Sequence, residues 1–403
     1  MSTVPTLEEF TAQAETFVSA HAARRTDELV WGKGSDVIPF FDGVDDEYEA
    51  IVKAKAWAQI RFDAGFGWIA GPVEHGGRGL PLPYDLAYRI VESEFDVPDA
   101  SHLELGMGMV GPTVLAWAPE ALREGVLRAL YRGELIGCQL FSEPEAGSDL
   151  AAVRTSAVRD GDEWVLNGQK VWTSEAQHSQ LGLALTRSNP DVAKHKGLTM
   201  FLIDMDTPGV QIRPLRQMTG GAHFNEVFFD DVRVPDARRL GEVDGGWPVA
   251  LTTLMNERGS VGSGPPATMA ALSHKRLAGL AAQVGMDADL VTRQDLGRLY
   301  TGFTIARYLD ELGRARVLAG ADPGPEASVL KLMFTANLTA AATFATDLLG
   351  PAATADTGEW GTFAWSEFLL ATPALRILGG TEEIMKNIIA ERVLGLPREP
   401  VAR

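Results

Sequence analysis

Residues 255–264 read MNERGSVGSG, directly after the apolar stretch from Trp247 to Met255. A carboxylate at the mouth of an apolar segment suits two tasks. Glu257 could abstract a carbon-bound proton, or it could be half of an ion pair with Arg258 or another cation. Three further stretches carry usable chemistry. SEPEAGSDL, 142–150, lets the backbone approach a ligand at Ala146 and Gly147 and offers the hydroxyls of Ser142 and Ser148; the same composition makes an ordinary turn. QKVWTSEA, 169–176, sets Trp172 beside Thr173 and Ser174, an aromatic that either covers a ring-shaped cofactor or fills a core. RILGGTEEIMKN, 376–387, has Gly379, Gly380 and Thr381 before a helix whose first turn holds Glu382 and Glu383. The acidic pair serves the helix dipole, and the glycines and threonine also make a place for a phosphate or carbonyl oxygen.

Two other signals are weaker. Gly106 to Gly111 reads G-x-G-x-x-G but lies in a helical region and runs into Pro112, so close helix packing explains it better than dinucleotide binding. The lone cysteine, Cys138, sits in IGCQLF, where a buried small side chain is expected rather than a reactive thiol. One cysteine excludes an intrachain disulfide and any multi-cysteine metal site, and no metal is expected.

The elements that must position these residues fall into three regions. A chain of 403 residues exceeds the roughly 250–300 at which single cores stop growing. The periodicity is helical over 1–137, as in LEEFTAQAETFVSAHAARR and EYEAIVKAKAWAQIRFDAG, with WGKGSDVIPFFDG as a loop between them. Over 138–243 strand patterns take over. EWVLNGQKVWTS predicts a hairpin turning at Asn167-Gly168, and LGLALTR, GLTMFLIDM, GVQIRPL and NEVFFDDVRVP follow without intervening helices, which means an antiparallel sheet. Over 244–403 helical patterns return with lengths that suit a bundle of long antiparallel helices. The fold class is therefore α+β: helical domain, β domain, helical bundle. A formal charge of −18 argues against a nucleic-acid or anionic-membrane partner, and no run approaches the roughly 20 apolar residues of a membrane span. A cytoplasmic protein is expected.

In order, SEPEAGSDL, NGQKVWTSEA, FNEVFFDDVRVP, NERGSVG and GGTEEIMKNIIAERVLGLPRE resemble the acyl-CoA dehydrogenase family, from about residue 45 to the C-terminus. The resemblance implies the same three-part architecture with a C-terminal four-helix bundle, FAD held by the middle and C-terminal domains, and an acyl-CoA thioester oxidised to its trans-2-enoyl product in lipid metabolism. Gln139, Phe141, Ser142, Trp172, Thr173 and Ser174 would line the flavin, with Thr381 and Glu383 reaching it from the C-terminal domain. Ser148, Arg258 and Gly380 would touch the acyl-CoA. Family members usually carry the base as a glutamate directly before Gly-Thr, which here is Gly379. A minority carry it on the first helix of the C-terminal domain, immediately before an arginine, and Glu257-Arg258 matches that subgroup. Glu257 is then the expected base, with Gly379 giving its N–H to the thioester oxygen. Gly379 also leaves the pocket floor small, with room for branched or bulky acyl groups.

The chain departs from the family in two places. An Arg-x-x-Phe-Gly motif is missing from LSHKRLAGLAAQVGMDADLV, and Gln-x-x-Gly-Gly is replaced by DLLGPAA, 347–353. Pro265 and Pro266 should also break or kink the helix that carries Glu257. The lost motifs belong to the half of the FAD site that a neighbouring subunit completes. A homodimer or homotetramer is one expectation, and an α2β2 assembly with a related subunit is the other. Electron-transfer flavoprotein is the expected electron acceptor. An oxidase that uses oxygen and a flavin-poor subunit of a heteromer are the competing readings.

Overall fold

The computed structural model describes residues 4–25, 47–261, 274–321, 324–354 and 362–398, with only the backbone at 257–261 and 362–364. The predicted loop at 31–43 and Pro265 and Pro266 lie outside these residues. The described residues divide into two compact units. The first runs through Glu257, apart from Arg25 and Met218–Gly220; the second takes those residues and everything from Arg258 onward.

In the first unit, α1 (Leu7–Ser19) begins at a capping box. Thr6 Oγ1 accepts the Glu9 N–H at 3.2 Å, and Glu9 Oε2 accepts the Thr6 N–H at 2.7 Å. Its buried Phe10, Ala14 and Val18, four residues apart, pack with Tyr88 and Val91 of α3 (Leu82–Glu92). Between them in sequence, α2 (Glu47–Asp63) buries Ile51, Ala54, Ala58 and Phe62. Next come α4 (Ser101–Leu105), a π-helical turn at Gly106–Val110, α5 (Gly111–Trp117) and α6 (Glu120–Tyr131). The glycines around the π turn serve packing. A Cβ on Gly106 would lie 3.0 Å from the Gly137 nitrogen, and one on Gly111 would lie 2.7 Å from the Tyr131 hydroxyl.

Eight strands form one sheet: β1 (Gly137–Leu140), β2 (Ser156–Asp160), β3 (Glu163–Ser174), β4 (Leu181–Arg187), β5 (Leu198–Asp204), β6 (Val210–Leu215), β7 (Phe224–Pro235) and β8 (Arg239–Leu240). The order is β6-β7-β3-β2-β4-β5-β8, with β1 parallel to β4. The other pairings are antiparallel, save a single parallel step from Ser156 to Arg187.

The hairpin expected at Asn167-Gly168 is not there, because β3 runs straight through those residues. A two-residue primed turn needs positive φ at its first residue, and Asn167 has none. Instead the pairing with β7 slips between Leu166 and Gly168. Asn167 spans the slip by exchanging two 2.9 Å hydrogen bonds with Asp231, whose φ is 50°. Gly168 is required there by close approach, since a Cβ would stand 2.7 Å from the Thr155 Cα. The turn lies earlier, at Gly161-Asp162 between β2 and β3, with Gly161 at φ 64°.

α7 (Gly246–Val261) starts in the first unit, where Val249 and Ala250 join the core formed by Leu183, Leu198 and Met200. Thr253 Oγ1 meets Thr113 Oγ1 at 2.9 Å, and Trp117 Nε1 donates to Thr252 Oγ1 at 2.9 Å. These bonds pin the first turns of α7 to α5. Glu257 follows one helical turn after Thr253.

The second unit contains α8 (His274–Gln283), α9 (Leu290–Leu318), α10 (Ala327–Leu349), α11 (Thr362–Leu375) and α12 (Glu382–Ile388), which ends in a π turn at Ile389–Val393. Leu277, Leu280, Leu299, Phe334, Leu338, Trp365 and Phe368 share one core. The segment Ala327–Thr354 is long and apolar enough to cross a membrane by composition alone. Phe334, Leu338, Ala341 and Ala345 nevertheless put it in the middle of this bundle. α11 had no sequence signal, since it is apolar without a clear face and contains Pro373.

Candidate active site

The end of β1 and the end of β3 meet. The Val171 N–H donates to the Ser142 carbonyl at 2.9 Å, so Phe141 and Ser142 lie beside the Lys170–Trp172 stretch that leads into Thr173 and Ser174, while Gln139 sits on β1 opposite Leu183. A buried lysine holds this junction. Lys170, fully enclosed, donates from Nζ to the Phe141 carbonyl at 3.0 Å, the Leu185 carbonyl at 2.6 Å and Glu143 Oε1 at 2.8 Å. Glu143 also accepts the N–H groups of Arg154 at 2.6 Å and Thr155 at 2.9 Å. Burial brings the Lys170 ammonium down to about 8 despite its carboxylate partner. Burial pulls Glu143 upward, but Lys170 and the two backbone donors outweigh it and hold the carboxyl below its usual range.

Trp172 is not a core tryptophan. It is 62% exposed, and its φ of 61° is a left-handed conformation that costs a bulky residue on the order of 1–3 kcal/mol. Phe224 meets it edge-on, with ring centroids 6.1 Å apart. Thr173 is buried and its hydroxyl has no hydrogen-bond partner. The 142–150 segment is a loop closed by reciprocal 3.0 Å backbone bonds between Glu143 and Ala146. Gly147 and Ser148 stand exposed on it, with open space where a Gly147 side chain would go. An exposed flat aromatic, an unpartnered hydroxyl and an open backbone together fit a planar cofactor that hydrogen-bonds along its edge.

Behind the cradle is a pair that sequence reasoning missed. His102 Nδ1 lies 2.7 Å from Glu175 Oε2, both side chains are buried, and Glu175 has φ 62°. The hydrogen bond to Glu175 raises the His102 pKa against the opposing effect of burial. Nothing in the spacing of residues 102 and 175 could have announced the contact, nor that Lys170 points inward.

In the second unit, Gly379 and Gly380 take left-handed φ values of 62° and 93°. Thr381 caps α12, its hydroxyl oxygen accepting the Ile384 N–H at 3.2 Å while keeping its own proton to donate. Glu382 does not serve the helix dipole alone. It forms a two-pronged pair with Arg376 at 2.8 Å and 2.8 Å, which holds its carboxyl below the usual range. Glu383 follows in the same turn. Glu257 and Arg258 are placed on α7 by their backbone, and their side chains lie outside the described atoms.

An N-terminal helical region, an antiparallel-rich sheet that carries a cradle for a planar cofactor, and a set of C-terminal helices define the class: an α+β cofactor-binding protein. Residues 138–232 match the acyl-CoA dehydrogenase middle domain, and 244–394 match the acyl-CoA dehydrogenase C-terminal domain. The chain belongs to the acyl-CoA dehydrogenase family. It is 38% identical to the acyl-CoA dehydrogenase IpdE1 of Mycobacterium tuberculosis over 394 residues, 98% of each chain. Among solved structures it resembles the ChsE4-ChsE5 complex from Mycobacterium tuberculosis, with a TM-score of 0.73 and 27% identity over 99% of this chain and 100% of that one. The Tcur3481-Tcur3483 steroid ACAD shares the fold, with a TM-score of 0.76 and 23% identity over 98% and 99%. The protein is thus an oxidoreductase that dehydrogenates acyl-CoA thioesters with a flavin.

Proposed function

We propose that the chain binds FAD and dehydrogenates a branched or bulky acyl-CoA to its trans-2-enoyl-CoA, with Glu257 as the base. The observation that carries this reading is Gly379. It has no side chain, and its φ of 62° is strained for any residue with a Cβ. The carboxylate must therefore come from elsewhere, and Glu257-Arg258 on α7 supplies one.

Removing a proton from C2 needs a carboxylate over that carbon and a donor on the thioester oxygen that strengthens as enolate charge grows. Glu257 takes the proton. The Gly379 N–H holds the oxygen, a role that needs no side chain. Trp172, Thr173 and Ser174 orient the cofactor from β3, and Gln139, Phe141 and Ser142 do so from β1. Thr381 and Glu383 complete its contacts, while Ser148, Arg258 and Gly380 hold the acyl-CoA. FAD, when bound, supplies the hydride acceptor for C3. Electron-transfer flavoprotein would be the partner that accepts the electrons, in a cytoplasm whose reducing conditions suit a single buried cysteine.

A second reading has a specific observation in its favour. Without Arg-x-x-Phe-Gly and Gln-x-x-Gly-Gly, the chain lacks residues that complete a neighbour's FAD site. It would then assemble with a related subunit that supplies them, and the similarity to a two-protein complex supports this. The test is the visible spectrum of the protein purified alone, then titration with straight, branched and steroid acyl-CoA esters, the last suggested by one relative's name. A yellow protein bleached by bulky esters supports the first reading. Bleaching by short straight chains alone would overturn the expected pocket, and a colourless protein would point to the partner.

A further inference from the structure

Lys331 lies on α10 about one turn from the buried Ser328 and Thr335 and is 6% exposed. Its Nζ donates to the carbonyl oxygens of Leu378 and Gly380, on either side of Gly379. The Leu378 oxygen and the Gly379 nitrogen belong to one peptide group. A cationic donor on the oxygen draws electron density toward it and makes the N–H at the other end a stronger donor. The carbonyl of Gly380, held by the same ammonium, fixes the far side of the turn.

We propose that Lys331 is a positioning residue for the reaction: its ammonium polarises the Leu378–Gly379 peptide and locks the Gly379–Gly380 turn, so that the Gly379 N–H is a fixed, strengthened donor to the substrate's thioester oxygen. The inference rests on the reading of Gly379 given above. Two adjacent glycines cannot hold a turn by their own side chains, and this one is braced from outside. Thr381 caps the following helix, the Glu382 N–H donates to the Arg376 carbonyl at 3.1 Å, and Arg376 clasps the Glu382 carboxylate. Those contacts would hold the backbone with neutral donors at Leu378 and Gly380 as well. A buried ammonium is costly compared with a neutral amide. Glu382 offsets part of that cost, since the Lys331 charge helps hold its carboxyl below the usual range, while the ammonium's two hydrogen bonds go to the carbonyls on either side of the N–H that would face a growing negative charge.

The test uses the holoenzyme saturated with trans-cinnamoyl-CoA carrying 13C at the thioester carbonyl, a bulky enoyl ester that cannot be dehydrogenated again. Infrared difference spectra read the carbonyl stretch, which falls as the oxygen is polarised. The wild type should show a stretch lower than the free ester in water. Lys331→Gln, which keeps a neutral donor, should lose most of that shift and about tenfold in kcat, with KM and FAD content unchanged. Lys331→Arg, whose charge is spread over a wider group, should fall between. A lowered stretch in the wild type that is unchanged in either folded variant would overturn the role of Lys331 alone. A wild-type stretch no lower than in water would overturn the reading of Gly379 and this inference with it.

Discussion

Lys170 Nζ and Glu143 Oε1 are 2.8 Å apart inside the protein, and together they tie the loop after β1 to β3. Removing the lysine leaves a carboxylate buried at 8% exposure with only backbone donors. Lys170→Met should therefore cost about 3–5 kcal/mol in urea unfolding. The double variant Lys170→Met/Glu143→Gln should cost less than the two single changes summed. Additive losses would mean that the pair does not act as a unit.

The His102–Glu175 pair gives a pH signature. The folded pKa of His102 is raised above the unfolded value of about 6.5. Its contribution is then fully present below about pH 6.5 and is lost as pH rises through the folded pKa. Glu175 faces it directly, while Glu47 and Asp99 add favourable charge and the His178 ring lies 6.0 Å away. Melting temperature measured from pH 5.5 to 8.5 should fall across the upper part of that range. His102→Gln should flatten this fall, and an unchanged slope would assign it to other groups.

Trp172 combines backbone strain with exposure, an expense that a folded protein keeps for a ligand. Trp172→Gly should stabilise the FAD-free protein by about 1 kcal/mol while weakening FAD binding. Calorimetry of the apoprotein and fluorescence titration with FAD check the two halves. Unchanged FAD affinity would remove Trp172 from the cradle.

The sequence showed most of what is local. The helical periods of α1, α2, α9 and α10, the helix start at Thr381 and the strand runs of β4, β5 and β7 all appear where apolar spacing places them. Asn167-Gly168 misled because the same dipeptide serves a bulge when a side chain across the sheet, here Asp231, takes up its hydrogen bonds. Residues 139–142 and 172–174 could be named as one cradle only through family resemblance, since β1 pairs with β4 and its end reaches β3 only through the Ser142–Val171 backbone bond and the Lys170 side chain. Lys170, His102 and Lys331 went unnoticed for a common reason. Each is polar and buried, and its partners lie between 15 and 73 residues away.

The central claim is that Glu257 removes the C2 proton. The direct measurement is stopped-flow bleaching of the FAD-loaded Glu257→Gln variant by the acyl-CoA that the wild type oxidises. Losing the base should slow bleaching by at least about 10²-fold while FAD content and acyl-CoA binding persist. Bleaching at the wild-type rate would contradict the account and move the base to another residue.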